Sequence, residues 1–468
     1  MLVYSSNEGT IMQLLSRRTV IKDLFSLGTP IALMSVISYL ASAIGVVMLS
    51  HFGAKEVAAS ALATSTVMTI NAMVGASMMS VSIRVSYYRG KKADDATLAM
   101  VLKSGICLGV FIALLGSVLV WFGPEWLKLF HKNPNLIART VSYFHISAGF
   151  LMIMAIGAAW IQFINGLGKT IIGTWASVVR FPIVLICMYV FVFGHFGFPQ
   201  MQLGGVILGQ CVGIVCSLVF VIGYTMRLPC FKKIFCKGGR QCKSLAKEMK
   251  ALFKLGWPIG VQYGGELAAI TVAIYMIGAF GTDALAAQQI VTQYGLMTVM
   301  ITMGISQGAS ILIAKVHGEK NLALGHRIMS MSALLMVMIF AIFIIIAAFF
   351  GHTILSIFYN HNMSSNTGIQ ILAYHLLWVT ILIMFFDALR NLFAFGLRAI
   401  GFPQSPMYIG LGCLWLISLP CAYLFGYHIF DGVIALRLGF GIGFVASTLW
   451  LWLMWYRKVE HRIAQHNK

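Results

Sequence analysis

The sequence predicts an all-α polytopic membrane protein with twelve transmembrane helices in two six-helix pseudo-symmetric halves. Three observations lead to this prediction. The chain of 468 residues is 59% hydrophobic and only 10% charged, whereas soluble domains are about 45–50% apolar and about 25% charged. Its apolar residues form continuous runs of helix length, and the first half of the chain is repeated in the second.

The composition excludes several classes of protein. A chain with so few polar residues could not cover a soluble surface, which excludes a cytosolic enzyme, a disordered protein and a secreted disulfide scaffold. An outer-membrane barrel is also excluded, because its strands alternate apolar and polar residues and the apolar runs here do not alternate.

Twelve apolar segments are each long enough to cross a hydrocarbon core about 30 Å thick. Short links containing Gly or Pro separate the longest runs near 165–174 and 398–405. The predicted spans are 24–49, 57–83, 98–122, 137–164, 174–194, 203–226, 252–277, 284–313, 328–350, 368–397, 405–425 and 433–456.

The basic residues are distributed unevenly between the two sides of these spans. If both termini lie on one side, that side holds 26 of the 33 Lys and Arg residues, the other side holds 5, and 2 fall within spans. The positive-inside rule therefore places both termini in the cytoplasm. The net charge of +20 therefore reflects the orientation of the chain in the membrane. We expect the lipid bilayer as a partner and do not expect nucleic acid.

An internal repeat divides the chain. The segment LFSLGTPI from Leu24 and the segment LFKLGWPI from Leu252 agree at six of eight positions, at a shift of 228 residues. We therefore predict an N-terminal six-helix half at 1–226, a basic cytoplasmic linker at 227–251 and a C-terminal six-helix half at 252–468. Two halves that enter from the same side are typical of transporters related by an axis along the membrane normal.

Each half has a proline near its first apolar run, at Pro30 and Pro258. A proline in the first turn of a helix is nearly free of cost. In a helix interior it removes a backbone hydrogen bond and permits a bend. The sequence leaves both possibilities open, a helix start or a functional hinge.

Two acidic residues lie deep within predicted spans, Glu266 in the seventh and Asp387 in the tenth. An ionised carboxylate at the bilayer centre costs about 2.5–3.5 kcal/mol on insertion scales, so such residues usually serve ions or protons. The repeat aligns Glu266 with Ser38, so only the second half has this acid. We predict a cation or proton site at these two carboxylates, which would be a metal site only if Na⁺ is the coupling ion. The alternative is a hydrogen-bonded structural carboxylate.

Two arginines also fall within spans. Arg390 follows Asp387 by three residues and shares its helix face, so the two could pair. A standing ion pair would keep Asp387 charged and would oppose proton carriage. Arg180 is a second possible partner, or it extends to an interface. The predicted substrate-binding residues are polar or aromatic side chains near the two carboxylates: Gln262, Tyr263, Tyr275, Gln289, Gln293 and Arg390.

The chain contains no phosphate-binding G-x-x-x-x-G-K-[ST] loop, which argues against ATP-driven pumping. A membrane-embedded enzyme would need clustered His, Asp or Glu residues within its spans, and only two scattered acids are found there. We expect no cofactor and no enzymatic activity.

The chain resembles the multidrug and toxic compound extrusion transporters, especially their bacterial cation-coupled branch. The resemblance covers nearly the whole chain. It is carried by LGTPIALMSVIS in the first helix, LGGVILGQCVGIV in the sixth, LGWPIGVQYGGE in the seventh, LAAQQI in the eighth, NGLGKT after the fourth and GLRAIGFPQSP after the tenth.

This resemblance implies an inner-membrane antiporter that exports small cationic, amphipathic compounds in exchange for inward H⁺ or Na⁺, and we expect it to act as a monomer. Family members carry a glutamate eight residues after the helix-7 proline and an acid in helix 10, which correspond here to Glu266 and Asp387. Two positions depart from the resemblance: Gly45 stands where many members have an aspartate late in helix 1, and Ile383 stands where some Na⁺-binding members have a tyrosine one turn before the helix-10 acid. The alternative function is a flippase for lipid-linked oligosaccharide or polysaccharide precursors, from the same superfamily.

Overall fold

A computed structural model describes residues 4–52, 54–130, 134–227, 242–356 and 367–466 of the chain. Within these ranges the secondary structure is helical and contains no β-strand, which confirms the predicted all-α class. The predicted linker at 227–251 is described only in part, since residues 228–241 lie outside these ranges.

The first half of the chain folds into eight helices, some of which share a membrane crossing. They are α1 (Tyr4–Ser50), α2 (Ala54–Ser77), α3 (Met79–Gly90), α4 (Asp95–Trp121), α5 (Gly123–Phe130), α6 (Pro134–Gly166), α7 (Thr170–Phe193) and α8 (Leu203–Met226).

The described part of the second half contains seven α-helices. They are α9 (Cys242–Gly278), α10 (Thr282–Gly318), α11 (Leu322–Ser356), α12 (Thr367–Ala399), α13 (Gln404–Cys413), α14 (Leu419–Leu424) and α15 (Val433–His466). Two π-helical turns, Leu414–Ser418 and Phe425–Ile429, continue α13 and α14 so that 404–429 forms one crossing.

Eleven of the crossings in the described ranges are long and apolar enough to span a membrane by length and composition. The remaining long helix, α9, corresponds to the predicted seventh span. It falls outside the eleven because Gln262, Tyr263 and Glu266 lower its mean hydropathy. The helix that carries a predicted functional carboxylate is therefore the least apolar of the twelve predicted spans.

The repeat is visible in the helix boundaries. At the shift of 228 residues, the end of α1 at Ser50 aligns with the end of α9 at Gly278, and the end of α3 at Gly90 aligns with that of α10 at Gly318. Two residues after each of the latter ends, Lys92 and Lys320 have positive φ angles of 52° and 63°. Equivalent turns therefore follow equivalent helices, down to a backbone conformation that non-glycine residues rarely adopt.

Pro30 and Pro258 lie in helix interiors, because α1 begins at Tyr4 and α9 begins at Cys242. Of the two possibilities that the sequence left open, the helix start is therefore wrong, and the functional hinge stays a prediction. The polar residues before each proline extend the helix beyond the apolar run, and hydrophobicity alone places the helix start too late. Each proline removes one backbone hydrogen bond within a continuous helix.

The helices form two compact units, 33–264 and 1–32 together with 265–468. The division therefore falls within α1 and α9. The 33–264 unit has an apolar core that includes Phe144, Leu151 and Met188, whose side chains are fully buried. A second cluster around Met78 and Phe163 completes it.

Close helix approaches in the second unit use glycines four residues apart. A Cβ added at Gly304 would lie 2.6 Å from the backbone nitrogen of Ala32, and one added at Gly308 would lie 3.0 Å from that of Gly28. Both distances are too short for a larger residue, so these glycines allow α10 to pack directly on the backbone of α1.

Within the 33–264 unit, an ion pair joins the N-terminal part of α9 to α3. The Nε and Nη2 atoms of Arg84 donate to the two carboxylate oxygens of Glu248 at 2.6 and 3.1 Å, and the Tyr88 hydroxyl donates to Glu248 at 3.0 Å. The Glu248 side chain is only 6% exposed. This arrangement satisfies a buried carboxylate from α9 with two groups of α3.

Candidate functional site

Glu266 is the first component of the candidate site. It lies in the middle of α9, eight residues after Pro258, and is flanked by Gly264, Gly265 and apolar residues. Its side chain is 14% exposed. Because the surrounding helix is apolar, this carboxylate requires a partner from another element.

The partner comes from α12. The Nη1 and Nη2 atoms of Arg390 donate to Oε1 and Oε2 of Glu266 at 2.5 and 3.1 Å. This is the two-pronged pairing that a guanidinium and a carboxylate favour, and it fixes orientation as well as charge. The Arg390 side chain is only 2% exposed, so the pair is largely removed from solvent.

Asp387 shares the same guanidinium. Its Oδ1 atom accepts hydrogen bonds from Nε of Arg390 at 3.1 Å and from Nη2 at 2.7 Å. The two residues are three apart in α12 and therefore lie on one helix face. The question that the sequence left open is thus answered: Asp387 pairs with Arg390, and Glu266 pairs with it too.

This cluster of Glu266, Asp387 and Arg390 has a formal charge of −1 when both carboxylates are ionised. The guanidinium donates four hydrogen bonds to carboxylate oxygens: the two to Glu266 link α9 to α12, and the two to Asp387 lie within α12. Charges in a low-dielectric interior interact strongly, so adding or removing one proton would change both the charge of the cluster and the link between the helices.

Two further residues contact Arg390, and neither is among the site residues predicted from the sequence. The Asn391 side-chain oxygen lies 3.5 Å from Nη2 of Arg390. The guanidinium carbon lies 5.4 Å from the centre of the Phe444 ring, which belongs to α15. Asn391 could have been found as the neighbour of Arg390, whereas nothing in the local sequence marks Phe444, because the contact joins distant parts of the chain.

The predicted substrate-binding residues occupy different environments. Gln262 is buried one turn before Glu266, while Tyr263 and Gln293 are half-buried. Tyr275 is 75% exposed, and it follows Glu266 by nine residues, which places it on the opposite face of α9 at 3.6 residues per turn. Gln289 is also exposed on α10. The structure thus places Tyr275 and Gln289 away from the buried cluster, and a role in binding for all five stays a prediction.

The residue aligned with Glu266 in the first half also meets an arginine. Nη2 of Arg180 in α7 donates to Oγ of Ser38 at 3.0 Å. The two aligned positions therefore each receive a guanidinium, although Arg180 comes from the fifth predicted span and Arg390 from the tenth. The two alternatives that the sequence left open for Arg180, pairing with Asp387 or extension to an interface, stay predictions.

Gly45 and Ile383, the two departures from the family resemblance, lie in packed surroundings. A Cβ added at Gly45 would lie 3.0 Å from Cγ1 of Val206 and 3.2 Å from Cε of Met188, so a larger residue would require these neighbours to move. Ile383 is 3% exposed and packs within the protein. Among the described residues, no group of three or more His, Cys, Asp or Glu side chains is arranged to hold a metal ion.

Comparison with known proteins gives the family. The model of the family described as MatE matches residues 30–190 and 258–424, one segment in each half. The chain belongs to the MatE family. Its members are membrane transporters and not enzymes, which agrees with the expectation from the sequence.

Relatives of this MatE-family chain align over most of its length. It is 24% identical over 408 residues to a probable multidrug resistance protein NorM of Rhizobium meliloti (strain 1021). This alignment covers 87% of this chain and 86% of the relative. It is 23% identical over 470 residues to the multidrug resistance protein NorM of Burkholderia vietnamiensis, covering 96% of each. Among solved structures, a point mutant of the Vibrio cholerae MATE transporter VcmN matches with a TM-score of 0.84 at 16% identity, covering 96% of this chain and 98% of that one.

Proposed function

We propose that this MatE-family transporter is a secondary antiporter that exports cationic amphipathic compounds in exchange for inward protons. The names of its NorM relatives support multidrug export. The observation that supports cation coupling is the cluster in which Glu266 and Asp387 share Arg390 in the interior of the second half.

Protonation gives the cluster a way to couple. A proton on Glu266 neutralises one partner of the ion pair and weakens the hydrogen bonds that join α9 to α12. A proton on Asp387 instead frees the guanidinium to pair with Glu266 alone. In either case the charge changes from −1 to zero, which alters the attraction for a cationic substrate. The membrane potential contributes about 2.3 kcal/mol per 100 mV for each net charge moved. A one-for-one exchange of a proton for a monovalent cation moves no net charge, so the proton concentration gradient drives it.

The arrangement favours H⁺ over Na⁺. Both oxygens of Glu266 and one oxygen of Asp387 already accept hydrogen bonds from Arg390. A hard metal cation needs several oxygen ligands at once and would meet the positive guanidinium, whereas a proton needs only one oxygen. Ile383, at the position where some relatives have a tyrosine, offers no further oxygen ligand.

The same pairing argues against a lipid-linked precursor flippase. A diphosphate site would need several free basic side chains. Of the two arginines within the predicted spans, Arg390 is committed to two carboxylates, which leaves Arg180 alone. We further propose that both termini lie in the cytoplasm, on the basis of the distribution of Lys and Arg along the sequence. That the transporter acts as a monomer in the inner membrane stays a prediction from the family resemblance.

The test is efflux of ethidium from proteoliposomes under imposed pH or Na⁺ gradients. We expect a pH gradient to drive efflux by the wild type, and Glu266→Gln and Asp387→Asn to reduce this efflux about tenfold or more. Glu125→Gln is the matched control, because Glu125 is an exposed acid that pairs with Lys128. Full gradient-driven efflux by the double variant would refute the carboxylate mechanism, and efflux driven by Na⁺ alone would replace the proton with sodium.

A further inference from the structure

The last helices of the two halves, α8 and α15, are equivalent. They begin at Leu203 and Val433, which are 230 residues apart. Six residues later each has a glycine, Gly209 or Gly439, that packs on the preceding crossing. A Cβ added there would lie 2.6 Å from an atom of α7 in the first half and 2.5 Å from an atom of α14 in the second. Equal spacing and equal packing therefore align the two helices residue by residue.

The fifth residue of these helices differs between the halves. In α8 it is Ile207, which is 1% exposed and belongs to the apolar core of the 33–264 unit. In α15 it is Arg437, which is only 8% exposed. An apolar side chain fills this position in the first half, and a buried charge is costly unless it is paired. Packing alone therefore does not explain the arginine.

Arg437 lies on the side of α15 that faces α12. Gly441, one turn later, faces Ile383 of α12, because a Cβ added to this glycine would lie 2.9 Å from Cγ1 of Ile383. The ring of Phe444, two turns after Arg437, contacts the guanidinium of Arg390 in α12. Residues spaced by four and by seven share one face of a helix. Arg437 is therefore on the face that packs within the second unit.

Arg437 has no counter-charge among the residues that the structure describes. No carboxylate in this part of the chain lies within 4.0 Å of its guanidinium. Its Nε atom is buried and has no hydrogen-bond partner among the described groups. Arg84 and Arg390, in contrast, each pair with a carboxylate. Since a buried cation without a partner is costly, an anion from outside the chain would stabilise the folded protein.

The position of Arg437 along α15 determines its depth in the bilayer. The apolar span covers 28 residues, from Val433 to Glu460, which corresponds to about 42 Å at about 1.5 Å per residue. The hydrocarbon core is about 30 Å thick, so a centred helix extends about 6 Å beyond it at each end. Arg437 follows Val433 by four residues, or about 6 Å, and so lies at the boundary between hydrocarbon and headgroups. Long side chains of a helix point toward its N-terminus, which directs this guanidinium into the headgroup layer.

We propose that Arg437 forms a phosphate-binding site at the start of α15, and that the phosphate belongs to a phospholipid headgroup. A guanidinium binds phosphate oxygens through parallel charge-assisted hydrogen bonds. Basic sites between transmembrane helices are known to bind lipid headgroups. Phosphate in solution offers the same chemistry, and the depth of Arg437 favours the lipid as the source. The site is separate from the Glu266, Asp387 and Arg390 cluster and does not depend on the coupling ion.

Two lipids with the same acyl chains provide a matched test. Dioleoylphosphatidylglycerol has a phosphate, and dioleoylglycerol does not. We would measure the Kd of each lipid for delipidated protein in detergent by native mass spectrometry, and repeat the titration with inorganic phosphate. The variants are Arg437→Ile, which has the side chain of the first half, and Arg437→Lys. Lys128→Gln is the control, because Lys128 is an exposed basic residue that pairs with Glu125.

We expect Arg437→Ile to weaken phosphatidylglycerol binding about tenfold or more and to leave dioleoylglycerol binding unchanged. Without lipid, this variant should melt at or above the temperature of the wild type, because an apolar residue replaces an unpaired buried charge. Arg437→Lys should retain part of the affinity, since an ammonium keeps the charge but loses the parallel N–H groups. Lys128→Gln should retain all of it.

Equal Kd values of the wild type and Arg437→Ile for phosphatidylglycerol would overturn the proposal, as would equal binding of the two lipids by the wild type. An equal loss in Lys128→Gln would also overturn it, since it would show a general attraction between basic residues and the anionic headgroup. Inorganic phosphate that binds at Arg437 when phosphatidylglycerol does not would overturn the lipid as the source. If the isoleucine variant does not fold, the same comparison with Arg437→Lys decides.

Discussion

Arg390→Gln is the sharpest perturbation of the candidate site. The substitution removes a guanidinium that is 2% exposed and donates four hydrogen bonds to Glu266 and Asp387. Both carboxylates would then remain in the membrane interior without their counter-charge. Breaking a buried ion pair by removing one partner typically costs about 3–5 kcal/mol, and here one change leaves two acids unpaired. We therefore expect a loss of folding stability at the upper part of this range at neutral pH.

The loss should depend on the charge of the acids. As the pH falls, Glu266 and Asp387 can take up protons in the folded variant, which removes the unpaired charges and restores stability. Adding Glu266→Gln and Asp387→Asn to Arg390→Gln should restore it at neutral pH as well, because neutral amides can hydrogen-bond to one another.

The assay is thermal unfolding of detergent-purified protein at pH 5 to pH 8. Size-exclusion chromatography after heating measures the fraction of protein that remains folded. Wild type, the single variant and the triple variant would be measured together. An Arg390→Gln variant as stable as the wild type at every pH would refute the reasoning. A triple variant no more stable than the single variant would show that the loss comes from packing around Phe444 and not from unpaired charge.

Three further predictions follow from described contacts. Arg84→Gln should destabilise the protein by about 3 kcal/mol because it strands the buried Glu248 carboxylate, and adding Glu248→Gln should recover part of the loss in a thermal melt. Tyr275→Ala should leave ethidium efflux within about twofold of wild type, since this 75% exposed side chain faces away from Glu266; a larger fall would place it in the substrate path. Gly304→Ala should lower the melting temperature, since overpacking of this kind costs about 1–3 kcal/mol. Gly325→Ala is the control and should not lower it, because no atom lies within 4 Å of the added Cβ. Equal effects of the two substitutions would contradict the packing argument.

Much of the fold followed from the sequence because hydrophobic length and repetition are local properties. The apolar runs predicted the spans, and the match between the segments at Leu24 and Leu252 predicted equivalent helices, which end at equivalent residues in the structure. The boundaries failed where polar residues continued a helix beyond the membrane, as they do before Pro30 and Pro258.

The sequence alone also predicted a functional role for Glu266 and Asp387, since a carboxylate in an apolar span requires a partner. It could not determine that partner. Whether Arg390 paired with Asp387, Glu266 or neither depended on the packing of α9 against α12, since Glu266 and Arg390 are 124 residues apart in the sequence. Only the tertiary structure decided that one guanidinium serves both acids, and that Arg180 meets Ser38 instead of a carboxylate. The physical reason is that hydrophobicity along a chain sets where a helix crosses the membrane, whereas the pairing of charges depends on which helix faces meet.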